Sequence, residues 1–184
     1  NALIHTLPEP KKVVLKDKVP TTRIYRHWVV PGLADPEFTA LRAGASVLGG
    51  LASSRLDNTL VREEQSAVAV TAFVLPFVHG SLFWVQADVK PGSDANALGK
   101  RLDTLMADFI KNGPTADEVQ RVASSEAAQR IDGLEQIGGF NGKAVALAEG
   151  QLYTGDANYY KKELERLAAL KPATVQAAMQ KWLT

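Results

Sequence analysis

The residue types best able to bind a metal or activate water are three histidines, His5, His27 and His79. They lie far apart in the sequence, and none has a second histidine three or four residues away, the spacing that places two zinc ligands on one helix face. The chain has no cysteine, which excludes a thiolate metal site and a disulfide framework. The pattern therefore predicts no metal site in this chain.

A glycine-rich stretch, residues 138–144, invites comparison with a phosphate-binding loop. Such a loop needs four residues between its first glycine and the glycine-lysine pair, and then a hydroxyl that reaches magnesium. Three residues separate Gly138 from Gly142, and Ala144 has no hydroxyl. We interpret these glycines as a tight turn. A Gly-x-Ser-x-Gly elbow is also missing, which argues against a serine hydrolase.

The most distinctive segment is residues 48–65, LGGLASSRLDNTLVREEQ, which runs a glycine pair, a serine pair and a charged helix into an apolar stretch. Gly49 and Gly50 can end the preceding helix, because glycine adopts the left-handed conformation without a steric penalty. Ser53 or Ser54 can cap the following helix. We therefore expect a helix–turn–helix–strand unit.

The charged helix of that segment supplies the candidate binding residues. Arg55 and Arg62 are our candidates for contact with a peptide substrate, together with the neighbouring Glu63 and Glu64. Charged helical residues more often form a solvated face, and that alternative stays open.

Turn signals and periodicity predict the elements that position these residues. Strands are predicted at residues 23–30, 67–75 and 82–89, which are apolar and end at turns. Helices are predicted to begin at Asp35-Pro36, beyond Pro91-Gly92, at a Thr115–Glu118 capping box, and at Pro172. This order is that of an α+β domain with two layers, in which helices cover one face of an antiparallel sheet.

Residues 1–22 differ in composition from the rest of the chain. They carry three prolines and four lysines, and we interpret them as an exposed connector that could include an edge strand at Val13 to Leu15. Residues 23–184 are expected to form a single α+β domain, since a chain of this length can bury one core. The start at Asn1, without a leader, suggests a piece excised from something longer.

Composition narrows the function classes. The net charge is +1, and the 21 basic and 20 acidic residues are interspersed. The sequence therefore has no basic patch that would indicate a nucleic-acid partner. No stretch reaches the roughly 18 apolar residues of a membrane span. We expect a soluble protein, and the lack of cysteine leaves both cytoplasm and periplasm open.

The ordered motifs resemble those of insulinase-like (pitrilysin family) zinc metallopeptidases. A glycine pair, Ser-Ser-Arg-Leu and then Leu-x-Arg-Glu is similar to the signature of the second type of domain in that family, which lacks the zinc motif. Other similar segments span nearly the whole chain: residues 22–31, 113–119, 134–139 and 159–183. The resemblance implies the α+β fold of insulinase-like and mitochondrial processing peptidase-like metallohydrolases.

In that family, two halves close like a clamshell around a peptide, and a His-x-x-Glu-His helix in one domain holds zinc. This chain lacks that motif. The resemblance therefore implies that the chain alone is inactive and that zinc belongs to the catalytic domain of a parent protein. The far half can also hold substrate with an arginine and a tyrosine seven residues later. Arg62 matches the arginine, but Ala69 replaces the tyrosine and cannot donate a hydrogen bond, which favours the zinc-bearing half or an inactive relative.

These implications give a leading hypothesis and two alternatives. The chain is interpreted as a non-catalytic domain of an insulinase-like zinc metalloendopeptidase, forming part of the peptide-enclosing chamber and the interdomain surface. Its partners would be other domains of the same polypeptide or a paired subunit. Alternatively, it is a structural or assembly subunit of the same fold without proteolytic activity. An independent small-molecule enzyme would need a pocket of convergent polar groups, which the sequence does not locate.

Overall fold

A computed structural model describes residues 9–51 and 54–183, which form a three-stranded sheet covered on one face by helices. The strands are β1 (Arg23–Pro31), β2 (Ala67–Leu75) and β3 (Gly80–Val89). The α-helices are α1 (Pro36–Ala45), α2 (Ala95–Asn112), α3 (Ala116–Glu135), α4 (Lys143–Thr154), α5 (Tyr159–Ala168) and α6 (Pro172–Trp182). Two π-helical segments, π1 (Ser46–Gly50) and π2 (Asp57–Glu63), lie between α1 and β2. The predicted α+β fold is confirmed.

The central strand of the sheet is β3, which pairs antiparallel with both β1 and β2. Phe83, Val85 and Ala87 point from β3 toward the helices and are completely buried, each 0% exposed. Side chains alternate across a strand, so the residues between them belong to the opposite, open face. The predicted hairpin of β2 and β3 therefore forms, and β1 and β2 are the two outer strands.

Local signals start the helices where the sequence predicts. Asp35 caps α1 by accepting a hydrogen bond from the Glu37 amide at 2.8 Å. The capping box of α3 is also present, because the Glu118 amide donates to the Thr115 hydroxyl at 3.2 Å and the Thr115 amide donates to the Glu118 carboxylate at 2.7 Å. None of the described helices is long and apolar enough to cross a membrane.

The glycine pair ends its helix by a different mechanism from the one predicted. Neither Gly49 nor Gly50 has a positive φ. Instead, a Cβ atom at Gly49 would lie 2.5 Å from the backbone nitrogen of Ala72. Glycine is needed there because π1 crosses β2 too closely for any side chain to fit.

The predicted serine cap is wrong at Ser54. This side chain is 3% exposed, and its hydroxyl has no hydrogen-bond partner among the described residues. Ser53, the other candidate, lies outside the described residues. The helix that leads into π2 therefore begins without a cap from Ser54.

The described residues that precede β1 lie on the surface. Residues 9–20 are exposed, and residues 10–17 have no helix or strand, so the edge strand considered at Val13 to Leu15 is not formed in this structure.

Candidate functional site

Arg55, the first predicted site residue, is held by the ends of α2 and α3. Its guanidinium donates to both carboxylate oxygens of Glu118, at 2.7 and 2.6 Å, and to the Gly113 carbonyl at 3.2 Å. Its Cζ atom lies 5.0 Å from the centre of the Phe109 ring, within the range of a cation–π contact. The Arg55 side chain therefore joins the segment of residues 48–65 to the N-terminal cap of α3.

The Glu118 carboxylate makes two kinds of contact: it binds Arg55, and it completes the capping box. Burial alone would raise the pKa of this carboxyl, but hydrogen bonds from Arg55 and from the Thr115 backbone outweigh burial and lower it. The carboxylate is therefore ionised at neutral pH, and the pair with Arg55 is a charged one.

Arg62, the second predicted site residue, lies on the exposed side of π2. It donates to the Asp57 carboxylate at 2.8 Å, and its side chain is 60% exposed. The neighbouring Glu63 and Glu64 are exposed as well, and Glu64 pairs with Arg101 of α2 at 2.7 Å. Arg55 and Arg62 thus have different carboxylate partners.

The histidines do not assemble a metal site in the described chain. His27 lies on β1 and His79 in the loop before β3, whereas His5 is outside the described residues. Residues 9–51 and 54–183 contain no group of three histidine, aspartate or glutamate side chains able to hold a metal ion. Zinc does not fit the side chains described here, and no zinc chemistry follows from them.

An aromatic cluster, which the sequence analysis missed, occupies the open face of the sheet. It consists of Tyr25 and His27 on β1, Phe73 on β2 and Trp84 on β3. The Trp84 ring centre lies 4.2 Å from that of His27, 5.4 Å from that of Tyr25 and 5.6 Å from that of Phe73. The Phe73 and Trp84 rings are stacked, and Tyr25 meets Trp84 edge-on.

Strand register brings the aromatic cluster together. His27 is paired with Trp84, and Trp84 with Phe73, so one row crosses all three strands. Tyr25 lies two residues before His27 and therefore shares its face. Alternation within each strand could have indicated the face, but the register between strands depends on residues far apart in sequence.

The aromatic cluster is accessible, and its imidazole is neutral at neutral pH. Tyr25 is 41% exposed and Phe73 is 39% exposed. Partial burial lowers the pKa of His27 below its ordinary value of 6.5, which keeps the imidazole neutral. The indole N–H of Trp84 is buried and has no hydrogen-bond partner among the described residues. Such a surface attracts apolar and aromatic groups by stacking and dispersion.

The ends of the open face differ in polarity. At one end, Arg23 donates to both oxygens of Asp88 at 2.6 and 3.0 Å, and this contact lowers the pKa of the Asp88 carboxyl. At the other end, Val29 and Leu75 add exposed apolar area. The open face is thus aromatic and apolar over most of its length, and it becomes polar toward Gln86, Thr71 and the neutral Arg23–Asp88 pair at one end.

Comparison with solved structures shows proteins of the same fold. A protease from Helicobacter pylori has a TM-score of 0.80 and 23% identity, over 92% of this chain and 40% of that one. The inactive peptidase domain of a candidate zinc protease from Bordetella parapertussis has a TM-score of 0.74 and 24% identity, over 94% and 91% of the two chains. A peptidase M16 inactive domain from Pseudomonas fluorescens has a TM-score of 0.76 and 20% identity, over 90% and 38%.

Sequence comparison gives the family. None of the curated proteins compared matches the chain. The family model described as Peptidase M16 inactive domain matches residues 3–125, which is more than half of the chain. The chain therefore belongs to the Peptidase M16 inactive domain family, as the insulinase-like resemblance of its motifs indicated.

Proposed function

We propose that this chain is a non-catalytic domain of an insulinase-like zinc metalloendopeptidase, and that its open face forms part of the wall of the peptide-enclosing chamber. Membership of an inactive-domain family supports the non-catalytic role. The similar fold in the Helicobacter pylori protease belongs to a longer chain, of which this one spans 40%. In this proposal, zinc and the attacking water belong to another domain of the parent protein.

The observation that carries the proposal is the contrast between the two faces of the sheet. Helices cover Phe83 and Val85 completely, whereas Tyr25 and Phe73 on the other face are about two-fifths exposed. Folded domains rarely leave contiguous aromatic surface open unless a ligand or another domain uses it. The chamber wall is such a use.

The aromatic cluster suits an unfolded peptide of varied sequence. Each ring can stack on an apolar or aromatic side chain, with a gain of roughly 0.5–1.5 kcal/mol per aromatic pair beyond the area buried. The Arg23–Asp88 pair is neutral as a unit, so the face does not select strongly for peptide charge. Several weak contacts would retain many sequences and still release products.

For the arginine that contacts substrate, we propose Arg62 rather than Arg55. The Arg55 guanidinium is occupied by Glu118 and by the Gly113 carbonyl. In the pair of Arg62 with Asp57, the arginine side chain is 60% exposed. Exposed ion pairs open at little energetic cost. Arg62 is therefore the more exposed of the two arginines, at 60% against 35%, and the better placed to meet a peptide carboxylate or carbonyl.

Peptide binding by the isolated chain tests the proposal. The probe is a synthetic, unstructured 20-residue peptide containing phenylalanine and leucine, titrated while amide shifts of the protein are recorded by NMR. We expect the largest shifts on β1, β2 and β3, and at least a roughly fivefold loss of affinity in a Y25S/F73S variant.

The matched control is Phe140→Ser, because Phe140 is 99% exposed and lies outside the sheet. This variant should bind the peptide like the unaltered chain. Shifts confined to the helices, or equal affinity in Y25S/F73S, would contradict a peptide-facing role and favour a structural subunit.

A further inference from the structure

Residues 11–19, which we call the lysine segment, have the alternation of a half-buried strand. In an extended chain, every second side chain lies on the same side. One side of the segment is mainly apolar and carries Lys11, Val13, Leu15, Asp17 and Val19. The other side is mainly basic and carries Lys12, Val14, Lys16 and Lys18.

The described part of the chain leaves the lysine segment without a covering surface. Val13, Leu15 and Val19 are 64%, 87% and 58% exposed. Natural proteins often place lysines on edge strands, where the charge prevents unwanted pairing with other strands. The segment therefore has the composition of an edge strand, but it pairs with none of the described strands.

The outer edge of β2 matches the lysine segment. Within the described residues, β2 pairs only with β3, and no backbone hydrogen bond joins residues 67–75 to other elements. Alternate amides and carbonyls of an outer strand point away from its sheet and can pair with another strand. β2 has nine residues, as does the lysine segment, and its register is regular from Ala69 to Leu75, beyond a shift between Ala67 and Ala69.

Charge also fits this pairing. π2 packs against β2, and Glu63 is exposed at its end, next to Glu64, which already pairs with Arg101. Suppose that Val13 and Leu15 lie on the open face beside Phe73. Because side chains alternate, the basic side of the lysine segment then lies on the opposite face of the sheet, where π2 packs. Lysines would then meet acidic side chains, and apolar residues would extend the apolar surface.

The lysine segment of the same chain is poorly placed to reach this edge. It joins β1, whereas the sheet order is β1-β3-β2. The outer side of β2 lies three strand spacings from β1, about 14 Å. Residues 20–22 connect the segment to β1 and span at most about 14 Å from residue 19 to residue 23 when fully stretched, which leaves no slack for the turn.

We propose that the lysine segment of one copy pairs with the outer edge of β2 in a second copy, and reciprocally, to give a closed two-fold dimer. The same patch is used twice, as in most symmetric dimers. Main-chain hydrogen bonds supply affinity, and the alternating apolar and basic sides set the register.

Sedimentation equilibrium of the 184-residue chain over a concentration series tests the dimer. A dimer is expected for the full chain, and a monomer for a variant lacking residues 1–20 and for V13D/L15D. Residues 9–20 are exposed, so both variants should still fold and unfold cooperatively, but with a midpoint that no longer rises with protein concentration. The matched control is I137D/F140D, which replaces two side chains that are 84% and 99% exposed; its dimerisation constant should stay within about twofold.

Hydrogen exchange then locates the contact. A synthetic peptide of residues 9–21, added to the variant lacking residues 1–20, should protect amides of β2, and the V13D/L15D peptide should not. Three results would each overturn the proposal: a full chain that is monomeric up to about 1 mM, a dimer that survives deletion of residues 1–20, or protection on β1 instead of β2. Protection of residues 11–19 in a monomer would likewise overturn it, because the segment would then pair within one chain.

Discussion

At the scale of single residues, Arg55 shows how a family signature can serve the fold. Its guanidinium closes the α3 cap through Glu118 and also binds the carbonyl of Gly113, the residue that ends α2. One side chain therefore binds groups at two helix ends, which would otherwise need water as their hydrogen-bond partner. Arg62, seven residues later, pairs with Asp57 and has a side chain that is 60% exposed.

Replacing Arg55 with alanine should destabilise the domain by about 1–2 kcal/mol, a value reduced for partial solvent exposure of the pair. The arginine side chain is 35% exposed and the glutamate 19%, so the loss leaves a partly buried carboxylate without its cation. The measurement is urea unfolding followed by circular dichroism. Arg62→Ala is the control and should cost under about 0.5 kcal/mol. Equal losses in both variants would contradict the structural role of Arg55.

Glu118 should make stability depend on pH. Its pKa in the folded state is below the ordinary value of 4.5, so near that value the unfolded chain binds more protons than the folded one. Stability from Glu118 is therefore complete above pH 4.5 and is lost as the pH falls toward the folded pKa.

The measurement is urea unfolding at a series of pH values for the unaltered chain and for Glu118→Gln, which cannot titrate. The stability difference between them should be constant above about pH 5 and shrink below it. Asp88 and Glu37, whose pKa values are also lowered, are present in both proteins and cancel. A difference that stays constant in acid would refute the assignment.

At the scale of elements, the crossing of π1 over β2 depends on Gly49. A methyl group there would lie 2.5 Å from the Ala72 nitrogen and 2.9 Å from its Cβ, so Gly49→Ala should cost about 1–3 kcal/mol through backbone displacement. Gly50→Ala is the control, because its nearest contact is 3.4 Å, and it should change stability by less than about 1 kcal/mol. Thermal unfolding of the two variants distinguishes them, and a Gly49→Ala variant as stable as Gly50→Ala would rule out a close crossing.

Elements could be predicted from sequence wherever a local rule governs them. The starts of α1, α3 and α6 depend on a cap or a proline within one turn, and all three are confirmed. Gly49 and Ser54 were misjudged because distant elements set their surroundings. Gly49 is constrained by β2, and the Ser54 side chain is buried near Arg121 and Val122 of α3.

The aromatic cluster was missed for a related reason. Alternation indicates which residues of one strand share a face, but three strands must take one register before His27, Trp84 and Phe73 meet. That register is set by burial of the opposite face beneath the helices. The open face is therefore a consequence of core packing, and no local motif encodes it.

At the scale of the whole molecule, one core joins the sheet and the first helices to the last helix of the described chain. α6 lies beyond the region that the family model matches, which ends at residue 125. Yet Met179 of α6 packs against α1 so closely that a Cβ atom on Gly44 would lie 2.7 Å from its sulfur. Gln176 also donates to the Lys111 carbonyl at the end of α2, at 2.6 Å. α6 thus packs against α1 and the end of α2 and completes the helical layer.

Removing α6 should abolish cooperative folding. A fragment of residues 1–170 loses Val175 and Met179, both 0% exposed, along with Ala178 and Leu183. Full burial of one large apolar side chain stabilises by roughly 1.5–3 kcal/mol, and the surfaces of α1 and α2 beneath them would be exposed as well. The sum approaches the whole stability of a typical domain, about 5–15 kcal/mol.

The measurement is urea unfolding of residues 1–170 with amide NMR dispersion. We expect a broad transition and poorly dispersed signals. Residues 21–184 form the control, because the twenty residues removed from that end include only exposed ones among those described, and unfolding should remain cooperative. A fragment 1–170 that unfolds with the slope of the full chain would mean that α1, α2 and the sheet complete a core without α6, since that slope reports the surface exposed on unfolding.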